Sequence, residues 1–296
     1  MSRRRHWNNA APYLYTMPAV LLLCAIMLAP LIVGISYAFH DMTLLDPNSG
    51  DYVGWSHFVD LWSDAAFWGA LRNTVVWTLA SVSLQFALGL GLALLLQRKF
   101  PGRYVVQVLV FLPWAVPSFL SGLNWAWLFN PVVGPIPHLA KALHLTTNAE
   151  NLLSSPTHAL WGPIIANVWW GIPFFAITLL AALQSIPTDL YEAAAIDGAD
   201  ERQQFRSITL PYLAPTMVIT ILLRTVWIAN FAELIVAMTR GGPADSTQIL
   251  ASYVFTQAFQ RLDFGYASTV ASVLLALLLM YAAALMVLRR LILRRF

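Results

Sequence analysis

Arg224 and Glu233 are two ionisable side chains that lie inside long apolar stretches of the sequence. If such a stretch crosses a membrane, an ionisable group within it is rare and is by default a candidate for function. The two residues are nine positions apart, which places them about 180° from each other around one helix. Arg224 lies deeper in its stretch, whereas Glu233 lies near one end, where contact with water is an alternative to function.

Two helical faces combine aromatic rings with polar donors at the spacing i, i+3, i+4 and i+7. Their members are Asn167, Trp170, Gly171 and Phe174 on one helix, and Arg224, Trp227, Ile228 and Phe231 on the next. Aromatic rings stack on the C–H faces of a sugar, and amide or guanidinium groups bond its hydroxyls. Ordinary helix packing explains the same pattern, with aromatic rings filling gaps. From the residues alone, helix packing is the leading interpretation and a sugar path is the alternative.

An ordered polar loop at 185–211 separates these two helices. It reads Glu-Ala-Ala from Glu192, Gly198 after three residues, and Ile-x-Leu-Pro at 208–211 after nine more. Gly198 predicts the end of a short helix, because the left-handed conformation costs glycine least. Leu190, Ala193 and Ala194 are predicted to share one shallow face with Asp197. The pattern predicts a docking surface, with a well-capped connecting hairpin as the alternative; the residues concerned are Glu192, Ala193, Ala194, Asp197, Gly198, Arg202, Leu210 and Pro211.

The composition places these residues in a membrane protein. Of the 296 residues 59% are hydrophobic and 10% charged, against about 45–50% and about 25% in soluble domains. A membrane-spanning helix needs about 20 mostly apolar residues. The sequence therefore predicts an all-α integral membrane protein, a single transmembrane domain over 1–296, with six transmembrane helices at about 13–39, 73–96, 105–129, 160–183, 212–238 and 267–288.

The distribution of basic residues predicts the orientation. With both termini on the cytoplasmic side, twelve of the 17 Lys and Arg residues lie inside and four outside, while Arg224 lies within a span. Such an excess on one side is typical of the cytoplasmic face, so the 185–211 loop is predicted to be cytoplasmic. The basic segment ends suit anionic lipid headgroups and require no nucleic acid.

Several functions lack their characteristic residues. The phosphate-binding pattern G-x-x-x-x-G-K-[ST] is absent, so this chain is not predicted to hydrolyse ATP. The zinc-protease pattern H-E-x-x-H is absent too, and no metal site is predicted, which argues against an intramembrane enzyme. A secondary transporter without ATP would need more intramembrane acids than Glu233. The single cysteine, Cys24, cannot form an internal disulfide.

The 185–211 loop resembles the E-A-A signature of membrane subunits in binding-protein-dependent ATP-driven importers. Looser patterns resemble the carbohydrate branch of that family, the maltose, glycerol-phosphate, trehalose and lactose-type permeases. These patterns are Phe111-Leu112-Pro113, Trp127-Leu128-Phe129 and Thr239-Arg240-Gly241-Gly242-Pro243. The resemblance covers most of the chain and implies the type I importer permease fold in a bacterial inner membrane.

The resemblance also implies a mechanism and partners. In the family, the first short helix of the loop sits in a cleft of a cytoplasmic ATPase, and the glutamate matching Glu192 pairs with a basic residue there. The implied partners are two ATPase subunits that hold ATP and Mg²⁺, a second, different permease and an extracytoplasmic binding protein; this chain holds no cofactor. Asn167 and Gly171 match positions that line the substrate path. Arg224, Trp227 and Phe231 depart from the polar residues of a maltose-type path, so a polyol or a glycerol-phosphate diester stays an alternative substrate.

Overall fold

The computed structural model describes residues 3–46, 48–144 and 152–293. The part of the 130–159 connection at 145–151, and the basic residues Arg294 and Arg295, lie outside the described residues. Within the described ranges the α-helices are α1 (Arg3–Leu23), α2 (Ala29–Tyr37), α3 (Ser56–Ser63), α4 (Ala65–Gln97), α5 (Arg103–Phe111), α6 (Ser118–Leu128), α7 (Pro135–Ala142), α8 (Trp161–Gln184), α9 (Thr188–Ile196), α10 (Glu201–Gln204), α11 (Leu210–Ala229), α12 (Ala232–Met238), α13 (Leu250–Phe259) and α14 (Phe264–Leu293).

Five helical stretches among the described residues are long and apolar enough to cross a membrane, and one bent pair brings the number to six. The five stretches are Pro12–Tyr37, Ala65–Gln97, Trp161–Gln184, Glu201–Ala229 and Phe264–Val287, and the bent pair is Arg103–Ala115 with Ser118–Leu128. The prediction of an all-α membrane protein is therefore confirmed. The helix that contains the second predicted span begins at Ala65, before the predicted start near 73.

The third predicted span is not one straight helix. Its two halves meet at an angle of 96°. Pro117 explains the break, because the residue before a proline avoids the α-helical region. Val116 accordingly has an extended backbone, with φ −94° and ψ 123°. The predicted span over 105–129 therefore consists of two helices that meet at this bend, and the Val116 carbonyl lies outside the hydrogen-bond ladder of either helix.

The fifth predicted span also ends earlier than 238. The helix stops at Ala229, and α12 begins only at Ala232. Trp77 of α4 donates its indole N–H to the Ile228 carbonyl at 2.9 Å, the acceptor that the Ala232 amide would use in an unbroken helix. The Ala232 amide bonds to the Asn230 carbonyl instead. A tertiary contact therefore replaces a helical one, and Glu233 lies on a helix separate from that of Arg224.

Two π-helical turns let helices pass through prolines. Cys24–Leu28 ends two residues before Pro30, and Phe205–Thr209 ends two residues before Pro211. Proline in a regular helix clashes with the carbonyl four residues earlier. The wider π turn, with its i to i+5 bond, relieves that clash. The stretch Glu201–Ala229 consequently continues through Pro211, although a proline ordinarily breaks a helix.

The chain separates into two compact units, Met1–Ser63 with Val254–Val273, and Asp64–Tyr253 with Leu274–Phe296. In the first unit, Thr269 donates to the Ala38 carbonyl, and Phe39 packs edge-on against Trp55. In the second, α4 and α8 pack closely because Gly89 lies directly against Phe175. Trp77, Ile164 and Phe175 contribute to its buried core. The single domain over 1–296 stays a prediction.

Candidate functional site: an exposed helical loop and a buried arginine cluster

The 185–211 loop forms two short helices around Gly198, as its sequence predicts. Gly198 has φ +82°, a left-handed conformation that side chains disfavour. The Ala199 amide donates to the Ala194 carbonyl at 2.9 Å, and the Gly198 amide donates to the Ala195 carbonyl at 3.1 Å. These two bonds form the Schellman motif, which satisfies the last carbonyls of α9. The turn therefore has one defined geometry.

The second short helix begins with a capping box. The Asp200 side chain accepts a hydrogen bond from the backbone N–H of Gln203 at 2.7 Å, and the Gln203 side chain accepts one from the backbone N–H of Asp200 at 2.8 Å. Arg202 is exposed in this helix. Leu210 and Pro211 follow in the first turn of α11, where they continue the helix. The C-terminus of α9 and the N-terminus of α10 are thus both capped.

One predicted face of α9 is wrong. Leu190 packs against the hydrophobic core, together with Tyr191, whose hydroxyl bonds to that of Thr209 at 2.9 Å. The face that is exposed contains Glu192, Ala193 and Ile196, and Ile196 is 87% exposed. Asp197 is exposed at the end of the helix, and Ala194 is half-buried. The helix therefore presents both acidic and apolar side chains outward.

The second group of predicted residues lies at a buried arginine. Arg224 is 1% exposed, and its guanidinium carbon lies 5.0 Å from the Trp227 ring centre, 5.5 Å from that of Trp170 and 5.6 Å from that of Phe174. Cation–π contact stabilises a guanidinium at these distances. The structure thus brings the aromatic residues of α8 and α11 together around one charge, as the two predicted faces require.

Gln85 of α4 completes this group and was missed by the sequence analysis. Its side-chain oxygen accepts a hydrogen bond from Arg224 Nε at 2.7 Å, and its side-chain nitrogen donates to the backbone carbonyl of Asn167 at 2.9 Å. The signal was present, since Thr74, Thr78, Ser81 and Gln85 recur with helical spacing along α4 and are all buried. We call Gln85, Asn167, Gly171, Arg224 and the rings of Trp170, Phe174 and Trp227 the Arg224 cluster.

Gly171 is required by the close approach of these side chains. A Cβ atom at this position would overlap both Gln85 and Arg224. The absence of a side chain lets the Gln85 amide and the guanidinium cross directly over α8. Gly171 therefore serves close packing, because both side chains lie directly against its backbone.

The helix breaks also contribute to the cluster. The Val116 carbonyl, freed at the bend before Pro117, accepts from the Trp170 indole N–H at 3.3 Å. Phe231 lies in the gap between α11 and α12, yet its ring stacks on Trp170 with a centroid distance of 5.3 Å. The prediction that Phe231 shares a helix with Arg224 is wrong, but the two residues still meet Trp170.

Glu233 is separate from this group. It is exposed on α12 and accepts a hydrogen bond from Ser118 of α6. Among the described residues, no group of three or more His, Cys, Asp or Glu side chains could hold a metal ion. The chemistry of the Arg224 cluster is therefore that of its guanidinium, its amides and its aromatic rings.

Comparison with known proteins identifies the family. Residues 85–296 match the model of the binding-protein-dependent transport system inner membrane component. The chain belongs to that family. The matched region includes the 185–211 loop and every residue of the Arg224 cluster. The chain is thus a multi-pass inner-membrane permease component of a binding-protein-dependent transport system.

Relatives in this family match over nearly their full lengths. The trehalose/maltose transport system permease protein MalF of Thermococcus litoralis is 32% identical, with 95% of this chain and 94% of the relative covered. The sulfoquinovosyl glycerol transport system permease protein SmoG of Agrobacterium fabrum is 33% identical, with 88% and 84% covered. A probable ABC transporter permease of Brucella suis is 36% identical, with 93% and 94% covered.

Solved structures show the same fold. A chain of the bacterial alginate ABC transporter, in complex with an alginate pentasaccharide-bound periplasmic protein, has a TM-score of 0.83 at 22% identity, with 98% of both chains covered. The MetNI methionine ABC transporter has a TM-score of 0.53 at 21% identity, over 76% of this chain. The predicted type I importer permease fold is confirmed.

Proposed function

We propose that this chain is the permease subunit of an ATP-driven importer that moves a carbohydrate released by an extracytoplasmic binding protein. The observation that carries the proposal is the Arg224 cluster, in which three aromatic rings surround buried amide and guanidinium groups. Rings and donors in this combination suit a sugar, whose C–H faces stack and whose hydroxyls accept hydrogen bonds. Relatives named for trehalose, maltose and sulfoquinovosyl glycerol support the same substrate class.

The 185–211 loop is proposed to dock on a partner ATPase. Its exposed face combines Glu192 with Ala193 and Ile196, so a basic residue and an apolar cleft on the partner would complement it. We place this loop and both termini on the cytoplasmic side, in agreement with the basic residues of the sequence. Two ATPases that bind ATP and Mg²⁺, together with a second permease, complete the proposed complex. This subunit itself is proposed to be non-catalytic.

Helical continuity supports coupling between the loop and the cluster. One helical stretch, Glu201–Ala229, carries both the second short helix of the loop and Arg224. At 1.5 Å per residue, Arg224 lies about 35 Å along that stretch from Glu201. The α8 helix carries Asn167, Trp170 and Phe174 and leads into the other end of the loop. A rotation of the loop would therefore displace the guanidinium and its aromatic neighbours together.

The proposed substrate class is tested by purifying the complex with its binding protein and identifying the co-purified ligand by mass spectrometry. We expect a carbohydrate. Alanine variants of Asn167, Arg224 and Trp227 should then alter the uptake kinetics of that ligand in proteoliposomes. A ligand of another class, or unchanged kinetics in all three variants, would contradict the proposal.

A further inference from the structure

Arg224 keeps most of its hydrogen-bonding capacity unused. A guanidinium has five N–H donors, and one of them, on Nε, is taken by Gln85. Both terminal nitrogens, Nη1 and Nη2, are buried and without a hydrogen-bond partner in the described part of the chain. The Asn167 side chain is fully buried, and both of its polar atoms are likewise unpartnered. Buried donors and acceptors normally have partners, so this group is built to receive one.

The charge of Arg224 is also unbalanced. Among the described residues, no carboxylate lies within 4 Å of the Arg224 guanidinium; the ion pair between Arg98 and Glu201 is elsewhere and largely exposed. Glu233, the acid on the neighbouring helix, bonds to Ser118 instead. The residues that face the guanidinium are an amide and three aromatic rings. A buried cation is costly unless an anion pairs with it. A neutral sugar hydroxyl could accept a hydrogen bond from Arg224, but it would not supply the missing negative charge.

The guanidinium is held in one orientation. Gln85 fixes Nε, and the Asn167 backbone carbonyl in turn fixes the Gln85 amide. Gly171 leaves room for both side chains, and the Trp170, Phe174 and Trp227 rings surround the guanidinium carbon. With Nε held, the two terminal nitrogens form the free edge of the planar fork. Such an edge matches the two oxygens of a carboxylate or a related oxyanion in bidentate fashion.

We infer that the Arg224 cluster is a receptor for an oxyanion group on the transported carbohydrate, as a sugar acid carries. This inference rests on the proposed function and names the substrate class within it. The guanidinium edge binds the anionic oxygens, while the side chain of Asn167 bonds a neighbouring hydroxyl. Trp227 is 46% exposed and Trp170 is half-buried, so their rings offer a stacking surface next to the guanidinium.

The test compares a charged and a neutral sugar on the intact complex. The complex, assembled with its partner permease and ATPases in nanodiscs, is titrated with sodium glucuronate and with glucose at equal ionic strength. Binding is read from tryptophan fluorescence and from the shift in Tm. We expect glucuronate to bind at least about tenfold more tightly than glucose, because charge-assisted bidentate bonds exceed neutral ones.

Substitutions locate the preference at one side chain. In Arg224→Gln the preference for glucuronate should fall to about one, since the amide keeps polarity but loses the charge. Arg224→Lys keeps the charge without the fork and should retain part of the preference; it also serves if the glutamine variant does not assemble. Arg98→Gln makes the same chemical change at the exposed cytoplasmic turn and should leave the preference intact.

Three results would overturn the inference: equal affinity for the two sugars in the native complex, a preference that survives Arg224→Gln, or a partner carboxylate within 4 Å of Arg224 in a structure of the complex. Failure of the proposed function looks different. A co-purified neutral carbohydrate with equal binding of both probes removes the anion receptor and leaves the carbohydrate importer, whereas a ligand that is not a carbohydrate removes the importer's proposed substrate class.

Discussion

The 185–211 loop and the Arg224 cluster are built in opposite ways. The loop is exposed, and local bonds within about twenty residues fix it: the Schellman motif at Gly198 and the capping box at Asp200. The cluster is buried, and its bonds join residues far apart in sequence, such as Arg224 and Gln85 from α11 and α4. A surface that must fit another protein is specified by its own chain segment, whereas an interior site depends on how helices pack.

The difference predicts how each region responds to substitution. Changes in the loop should leave the membrane helices folded and alter assembly or coupling. Changes in the cluster should disturb the packing of α4 against α8 as well as the site itself.

Glu192→Lys should have the largest effect. Glu192 is exposed, so the reversal leaves the fold intact but places like charges at the proposed ATPase contact. Loss of a docked charge pair costs about 2–5 kcal/mol, which lowers binding roughly 30-fold or more. Uptake in proteoliposomes and co-purification of the ATPases should fall together. Glu192→Gln, which keeps the shape without the charge, should give a smaller loss; wild-type assembly in the lysine variant would contradict the docking assignment.

Gly171→Ala should disable the cluster from within. The added Cβ would overlap Gln85 and Arg224, and overpacking of this kind costs about 1–3 kcal/mol. We expect roughly a 5- to 150-fold loss of uptake, with the ATPases still bound to the complex. The control is Gly91→Ala on α4, where a Cβ meets nothing within 4 Å. Equal uptake in the two alanine variants would show that the close approach is unimportant.

Gly198→Val tests the turn of the loop. A Cβ at Gly198 meets no atom within 4 Å, but φ is +82°, so the penalty is one of backbone conformation alone. That penalty is roughly 1–2 kcal/mol, or about a 5- to 30-fold change in the population of the docking-competent turn. Gly198→Asn should be milder because asparagine tolerates the left-handed region. The measurement is the stimulation of ATPase activity by the binding protein, which should be lost in Gly198→Val. Equal stimulation in Gly198→Val and Gly198→Asn would contradict the backbone explanation.

Arg98→Gln should have the smallest effect. Arg98 and Glu201 form an ion pair at 3.6 Å, but their side chains are 75% and 93% exposed. Exposed pairs contribute little, because water screens them and both side chains lose conformational freedom. Uptake and thermal stability of the complex should match the wild type at physiological salt. A clear loss of either would show that this pair takes part in coupling.

The loop could be predicted from sequence because each of its determinants is local. Gly198 at the end of an alanine-containing helix, and Asp200 three residues before Gln203, fix the geometry wherever the segment lies. Errors occurred where tertiary contacts intervened. Leu190 turned toward the core rather than joining the exposed face. A proline ordinarily breaks a helix, but the π turn before Pro211 lets the helix continue.

The cluster could be predicted only in part. Helical spacing correctly grouped Trp170 with Phe174 and Trp227 with Arg224. It could not assign Gln85, because the positions of α4 and α11 against α8 depend on packing at Gly89 and Gly171. Nor could it foresee that Phe231 would leave its helix and stack on Trp170, since the break at Ala229 accompanies a hydrogen bond from Trp77, about 150 residues earlier.

By itself, the sequence determined that this protein crosses the membrane several times and carries a capped polar loop with the signature of its family. Apolar length and local turn chemistry suffice for those features, because hydrocarbon requires helices and glycine alone takes a left-handed turn at little cost. Only the tertiary structure decided that Arg224 is buried beside Gln85 with two free nitrogens and no described counter-ion. That arrangement depends on the register and breaks of three packed helices, and no local pattern specifies either.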